Sequence, residues 1–256
     1  MRFDPYIPHE QLRSIVSRFV ISEQPESSVY QVFPNMAPVF GFQFSGQLSI
    51  VDADTTQTPL SQAGITGLAT RYKVFSNLAA TGTVLVYLTE LGLSQLTRCP
   101  AVHFFNQSIP LDQIFDGNKI TAVTERLYTA GTDQQRIAIV EQFLISELKP
   151  ASPDNLVAAA TRMIRQRQGK LEVNELNKTL YTSASVLERR FKQVIGTTPK
   201  KFASLVRLKK VIDDLKTDKS LINICYDHDF FDQAHFINDF KRFTGLTPEE
   251  FRQRFK

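Results

Sequence analysis

The sequence predicts two domains: a mainly β N-terminal domain, barrel or sandwich, with a helical hairpin, over residues 1–150, and an all-α C-terminal domain with two helix-turn-helix units over 151–256. Three observations predict it. Apolar residues recur with period two between Val29 and Leu88 and with helical period beyond Leu111. Lys149-Pro150-Ala151-Ser152-Pro153 breaks all periodicity, as a linker between domains does. Finally, FKQVIGTTPKKF (Phe191–Phe202) recurs 49 residues later as FKRFTGLTPEEF (Phe240–Phe251), the mark of a duplicated supersecondary unit.

At the N-terminus, Leu12, Ile15, Val16, Phe19 and Val20 fall at helical spacing, which predicts an amphipathic helix over Tyr6 to Ile21. Strands come next. Val29, Gln31 and Phe33 alternate, then Phe40, Phe42 and Phe44, then Leu48 and Ile50, with turn signals at Pro34-Asn35 and Ser45-Gly46. Asp52 to Gln62 is polar and reads as a surface loop, after which Gly64 to Phe75 and Thr83 to Leu88 read as strands. Short strands at this spacing predict an antiparallel sandwich or barrel. Phe40, Phe42 and Phe44 share one strand face; with Tyr87 of the TVLVYL strand they are candidates for an effector pocket in a barrel mouth, against the plainer reading of the three phenylalanines as core. Beyond Leu111, Thr121 to Tyr128 and Asp133 to Leu148 form two helices around Ala130-Gly131-Thr132, with Leu127, Ile137, Val140, Leu144 and Leu148 as the apolar stripe of a hairpin packed on the sheets or of a dimerisation surface.

Past the prolines, seven helices are expected, at roughly 154–168, 172–179, 183–195, 199–214, 220–227, 232–244 and 248–255. In each repeat an apolar helix runs into Gly196 or Gly245, a residue free to close a helix in the left-handed conformation. Thr198-Pro199 and Thr247-Pro248 then supply a hydroxyl N-cap and a proline at the first helical position. Upstream, Ser183 and Asp232 are the N-caps of helices preceded by short helices and tight turns, the second turn one residue longer than the first. Two helices joined this way, with Glu188, Arg189, Arg190 and Lys192 on the outer face, match a motif that lays its second helix in a DNA major groove, although such a pair is also a generic packing unit.

Charge fits a polyanion partner, and a solvated basic surface almost as well. Residues 1–150 carry 10 Lys/Arg against 13 Asp/Glu, whereas residues 151–256 carry 20 against 13, so the repeated part is the basic part. Cys99 and Cys225 sit in separate apolar contexts, which predicts reduced thiols rather than a disulfide. The four histidines, at 9, 103, 228 and 235, lack metal-ligand spacing, and no catalytic residue set is recognisable, so neither a metal nor any other cofactor is expected. The absence of a long apolar run and of a signal-like h-region predicts a cytoplasmic protein with no membrane partner.

SVLERRFKQVIGTTPKKF, VRLKKVIDDL and ICYDHDFFDQAHFINDFKRFTGLTPEEFR resemble, in order and over about 100 residues, the DNA-binding domain of AraC/XylS-type transcriptional regulators. The resemblance implies two recognition helices, held by the helix over 199–214, in successive major grooves of double-stranded DNA. It implies base reading by Ser185, Glu188 and Arg189 and by Gln233, Ala234 and Asn238, side chains that suit the donor and acceptor patterns of base edges. Arg190, Lys192, Lys241 and Arg242 are then expected at phosphates or solvent. The chain departs from the family at Asn177 and Cys225, where alanine is usual, at Asp229, where the turn glycine is usual, and at Asn238, where arginine is common. Residues 1–150 look more loosely like the cupin-like, barrel-like sensor domain of a subgroup of that family, through Phe33-Pro34-Asn35, Gly64 to Thr70, Val86 to Gly92 and the helical pair. The resemblance as a whole implies a regulator controlled by a small-molecule effector or by homodimerisation, with RNA polymerase as a further contact; the competing readings are an enzyme on the barrel, targeted by the C-terminal domain, and a helical protein-interaction module.

Overall fold

The computed structural model describes residues 2–150 and 152–255; of the linker segment, Ala151 lies outside them. The N-terminal domain is built from ten strands: β1 (Arg2–Tyr6), β2 (Val16–Gln24), β3 (Ser28–Val32), β4 (Val39–Ser45), β5 (Leu48–Val51), β6 (Gln57–Pro59), β7 (Ala63–Thr66), β8 (Lys73–Asn77), β9 (Thr81–Leu88) and β10 (Ser108–Pro110). They form a six-stranded sheet ordered β1-β2-β9-β4-β7-β10 and a four-stranded sheet ordered β3-β8-β5-β6, and every pairing between them is antiparallel. The short helix α1 (Gly92–Leu96) and the hairpin α2 (Gly117–Thr129) and α3 (Asp133–Ser146) complete the domain. Asp116 caps α2, and a reciprocal box between Thr132 and Gln135 caps α3. Leu127, Val140 and Leu144 bury the hairpin stripe against the larger sheet, where Phe42 meets Phe143 edge-on at 6.0 Å.

Three N-terminal expectations need correction. The helix expected over Tyr6 to Ile21 is absent: that stretch holds the end of β1, a 3₁₀ turn at Glu10–Leu12 and the start of β2. The apolar spacing misleads because β2 is central and covered on both faces, with Phe19 and Ile21 under the hairpin and Val20 toward the smaller sheet, so its buried residues are consecutive rather than alternate. The polar loop Asp52 to Gln62 contains β6, an exposed edge strand. Gly64 to Phe75 is not one strand, because β7 and β8 lie in different sheets.

Among its described residues the C-terminal domain has seven helices: α4 (Asn155–Gln166), α5 (Val173–Thr179), α6 (Ala184–Ile195), α7 (Pro199–Leu215), α8 (Leu221–Asp227), α9 (Gln233–Thr244) and α10 (Pro248–Phe255). Helix α7 is the spine, burying Leu205, Leu208, Val211 and Leu215 in the core that also receives Leu187 and Phe191 of α6 and Phe236 and Phe240 of α9. That core does not stop at the linker. Leu68 of the N-terminal domain is buried in it, and Phe33 packs on Phe251 and Phe255 with ring centroids 5.4 and 5.5 Å apart.

Candidate DNA interface

Each helix-turn-helix unit is set by local chemistry. In the first, α5 leads through a turn in which Tyr181 takes a left-handed φ of 49° to Ser183, whose hydroxyl accepts from the Val186 amide and opens α6. In the second, α8 leads through Asp229, at φ 52°, to Asp232, whose carboxylate accepts from the His235 amide and opens α9. Asp229 thus adopts the conformation for which glycine is favoured, and Asp is among the non-glycine residues that tolerate it. Gly196 and Gly245 close both second helices at φ 93° and 75°.

The outward faces of the two helices carry the residues expected to read bases. Ser185, Glu188 and Arg189 on α6 and Gln233, Ala234 and Asn238 on α9 are all exposed and lie in the first turns after each cap. The Arg189 side chain makes no hydrogen bond or ion pair among the described residues. The basic residues expected at phosphates are not equivalent. Arg190 turns away and donates to Asp154, the cap of α4, at 2.7 Å, so it braces the domain. Lys192 is paired with Glu188 at 2.6 Å, and Arg242 donates to Asp239 at 2.5 Å. Lys241 is exposed, and its side chain makes no ion pair or hydrogen bond among the described residues.

Behind the second unit, Asp214 of α7 accepts from Lys219 at 2.9 Å and lies 3.0 Å from Nε2 of the buried His228. Burial pushes the Asp214 carboxyl up, but the hydrogen bonds from Lys219 and His228 outweigh it and hold the group below its ordinary value. Burial, and then the nearby Asp232 charge, push the Cys225 thiol up, so it stays a protonated core side chain. Asn177 carries a buried side-chain oxygen with no partner among the described residues.

Two residues beside the recognition helices escaped sequence reasoning. Tyr181 is 97% exposed and Phe231 is 91% exposed, each in the turn that leads into a recognition helix. The signal for Phe231 was the pair Phe230-Phe231, since only one of two adjacent phenylalanines can enter the core at a turn; Phe230 does so, stacked under Arg207 at 4.5 Å.

Of the four residues expected at an effector pocket, Phe40, Phe42 and Phe44 are buried on the face covered by α2 and α3, against Phe115, Phe143 and Arg136. Tyr87 alone lies on the opposite face, where Arg18 stacks over its ring at 4.1 Å.

A family model described as a helix-turn-helix domain matches residues 176–254. Together with the duplicated units and the three sequence blocks, it decides the assignment. The C-terminal domain is an AraC-type helix-turn-helix domain. Relatives of the chain include the Msm operon regulatory protein of Streptococcus mutans, 28% identical over 58% of this chain and 55% of that protein. Another is the HTH-type transcriptional regulator ArgR of Pseudomonas aeruginosa, 26% identical over 66% of this chain and 51% of that protein. The HTH-type transcriptional activator RhaS of an Enterobacter strain is 38% identical over 28% of this chain and 26% of that protein. The match thus spans about half the length of the first two. The whole chain also shares its two-domain fold with ToxT of Vibrio cholerae: TM-score 0.52 and 11% identity over 92% of this chain and 97% of that one.

Proposed function

We propose that this chain is a sequence-specific transcription regulator that lays α6 and α9 in successive major grooves of double-stranded DNA. The observation that carries the reading is the pairing of two reading heads with one design. Each has a side-chain cap, an exposed polar first turn and a buried phenylalanine frame, and all three recur 49 residues apart. Grooves on one side of B-DNA recur about every 10 to 10.5 base pairs, roughly 34 Å, which suits two rigidly linked heads. The relatives are by name regulators and activators of transcription, which favours this reading over an enzyme on the N-terminal domain.

Arg189, exposed and unpaired in the second turn of α6, is free to grip guanine through two parallel hydrogen bonds, and Gln233 and Asn238 have the donor–acceptor pair that adenine requires. Lys241 adds affinity through phosphates without sequence information. Residues 1–150 receive an effector or a second copy of the chain, and the regulator acts on RNA polymerase in the cytoplasm. The test is binding to a selected duplex across a salt series. Lys241→Ala should lower the log–log salt slope by about one and leave sequence preference intact, whereas Arg189→Ala should cost about 1–3 kcal/mol and relax one base pair. Unchanged binding of every duplex by both variants would refute the placement of the heads, whereas no salt-sensitive binding of any duplex by the parent would favour a protein-interaction module.

A further inference from the structure

The two helix-turn-helix units share a backbone design but not a chemistry. Residues 172–195, spanning α5 and α6, include Lys178, Arg189, Arg190 and Lys192, whereas residues 220–240, from the cap of α8 into α9, contain four aspartates and no Lys or Arg. Each aspartate already has a partner in the protein. Asp227 meets Lys219 at 2.9 Å, Asp229 meets Lys170 at 3.6 Å, and Asp239 meets Arg207 at 3.5 Å and Arg242 at 2.5 Å. Asp232 caps α9 by accepting from the His235 amide. This stretch presents no lysine or arginine of its own to phosphates, so what it contributes to a duplex has to come from short-range contacts.

What the second unit offers there is apolar. Phe231 stands immediately before the Asp232 cap and is 91% exposed, because Phe230 takes the core side of the turn, 5.0 Å from the Phe236 ring. Three residues on, at the same end of α9, Ala234 is also exposed. At the matching positions 49 residues earlier the first unit has Thr182 and Ser185. A single apolar side chain in water is ordinary on a protein surface. This one, however, sits at the end of α9 that is read as entering the duplex, where its burial is favourable against another apolar group. The apolar group that B-DNA displays in its major groove is the C5 methyl of thymine.

We propose that Phe231, together with Ala234, is a specificity-determining contact that packs on the C5 methyl of a thymine in the motif bound by α9. The inference rests on the reading that α9 enters a major groove, and it names what the tip of that helix recognises. Gln233 lies between the two apolar residues. An A·T pair offers adenine's donor and acceptor to such an amide and thymine's methyl to such a ring, whereas cytosine has no methyl to meet it. The second head therefore discriminates largely by apolar contact, where the first uses the hydrogen bonds of Arg189.

The test uses the full chain and a duplex selected from a random library, with each thymine replaced in turn by uracil, which removes the C5 methyl and keeps the hydrogen-bonding edge. In the motif that Arg189→Ala leaves intact, one uracil should weaken binding by the parent about fourfold, the worth of one buried methyl group. Phe231→Ser should bind the thymine and uracil duplexes equally at that position, and Phe231→Leu should keep most of the discrimination. The ratio is taken within one protein, so a change in folded fraction cancels. A bound motif without thymine, or one indifferent to uracil, would overturn the inference. So would a loss on Phe231→Ser that is equal for thymine and uracil, which would put the ring on the sugar–phosphate backbone, or a discrimination that survives Phe231→Ser, which would leave the ring to a protein partner. A parent that selects no duplex at all would instead sink the regulator reading, and this inference with it.

Discussion

Gly245→Ala tests how the N-terminal domain grips the DNA-binding domain. Gly245 closes α9 at φ 75°, and a Cβ built there falls 2.5 and 2.8 Å from two carbons of the Tyr72 ring. Two separable costs result. The left-handed backbone costs an alanine about 1–2 kcal/mol wherever it occurs. The overlap of about 1 Å with the ring, against an ordinary carbon–carbon contact of about 3.5–4.0 Å, adds about 1–3 kcal/mol unless the ring moves. In a Tyr72→Ala background only the backbone cost remains, so a double-mutant cycle should return a coupling of about 1–3 kcal/mol. Urea unfolding followed by circular dichroism at 222 nm suits the assay, since the chain has no tryptophan. Equal costs of Gly245→Ala in both backgrounds, within about 0.5 kcal/mol, would show that Tyr72 does not bear on α9 and would refute the docking. Gly196→Ala is the control. Its Cβ meets the Ala101 carbonyl oxygen at 2.7 Å, a backbone contact that no side-chain truncation relieves.

Other perturbations separate structural from reading residues. Arg190→Ala should cost about 0–1 kcal/mol of stability through its half-exposed pair with Asp154 and leave base preference unchanged, as a binding-site selection would show. Phe191→Ala should cost about 3–5 kcal/mol in urea unfolding, since the ring is fully buried against Phe202. Because Asp214 is held below its usual carboxylate range, its contribution is present above pH of about 4 and is lost as pH falls through its folded value; Asp214→Asn should therefore lower stability at pH 7 and flatten the acid limb of a melting-temperature profile. Lys73 has the opposite sign. Its ammonium is charged in both folded and unfolded chains below about 8, so burial destabilises there, and the penalty fades as pH rises from about 8 toward 10.5. Lys73→Met should raise the melting temperature at pH 7, with the gain shrinking at alkaline pH.

The helical half was legible because its punctuation is chemical. Glycine at a left-handed closure, proline after a capping threonine, and Ser183 and Asp232 as caps fix helix ends without reference to the rest of the fold. The β half was legible only where one face of a strand is buried and the other is not. Strand β2 failed that condition, since Phe19, Val20 and Ile21 are all buried between layers, and a run of consecutive apolar residues fits a helix as readily as a covered strand. Alternation put Phe40, Phe42 and Phe44 on one face, but both faces of their sheet are covered, and only the third dimension shows that the hairpin takes that face and leaves Tyr87 to the other. Lys73 was silent for a related reason: a single lysine in a strand ordinarily points to water. Arg190 and Arg189 are likewise indistinguishable as neighbours in sequence until Asp154, 36 residues earlier, claims one of them.

Binding of successive major grooves by two unequal reading heads is the central claim, and selection of bound sequences from a random duplex library measures it most directly. Two motifs are expected, their centres about 10 to 10.5 base pairs apart, with Arg189→Ala degenerating one position of one motif and leaving the other intact. A single motif, or two whose spacing varies freely from clone to clone, would contradict it.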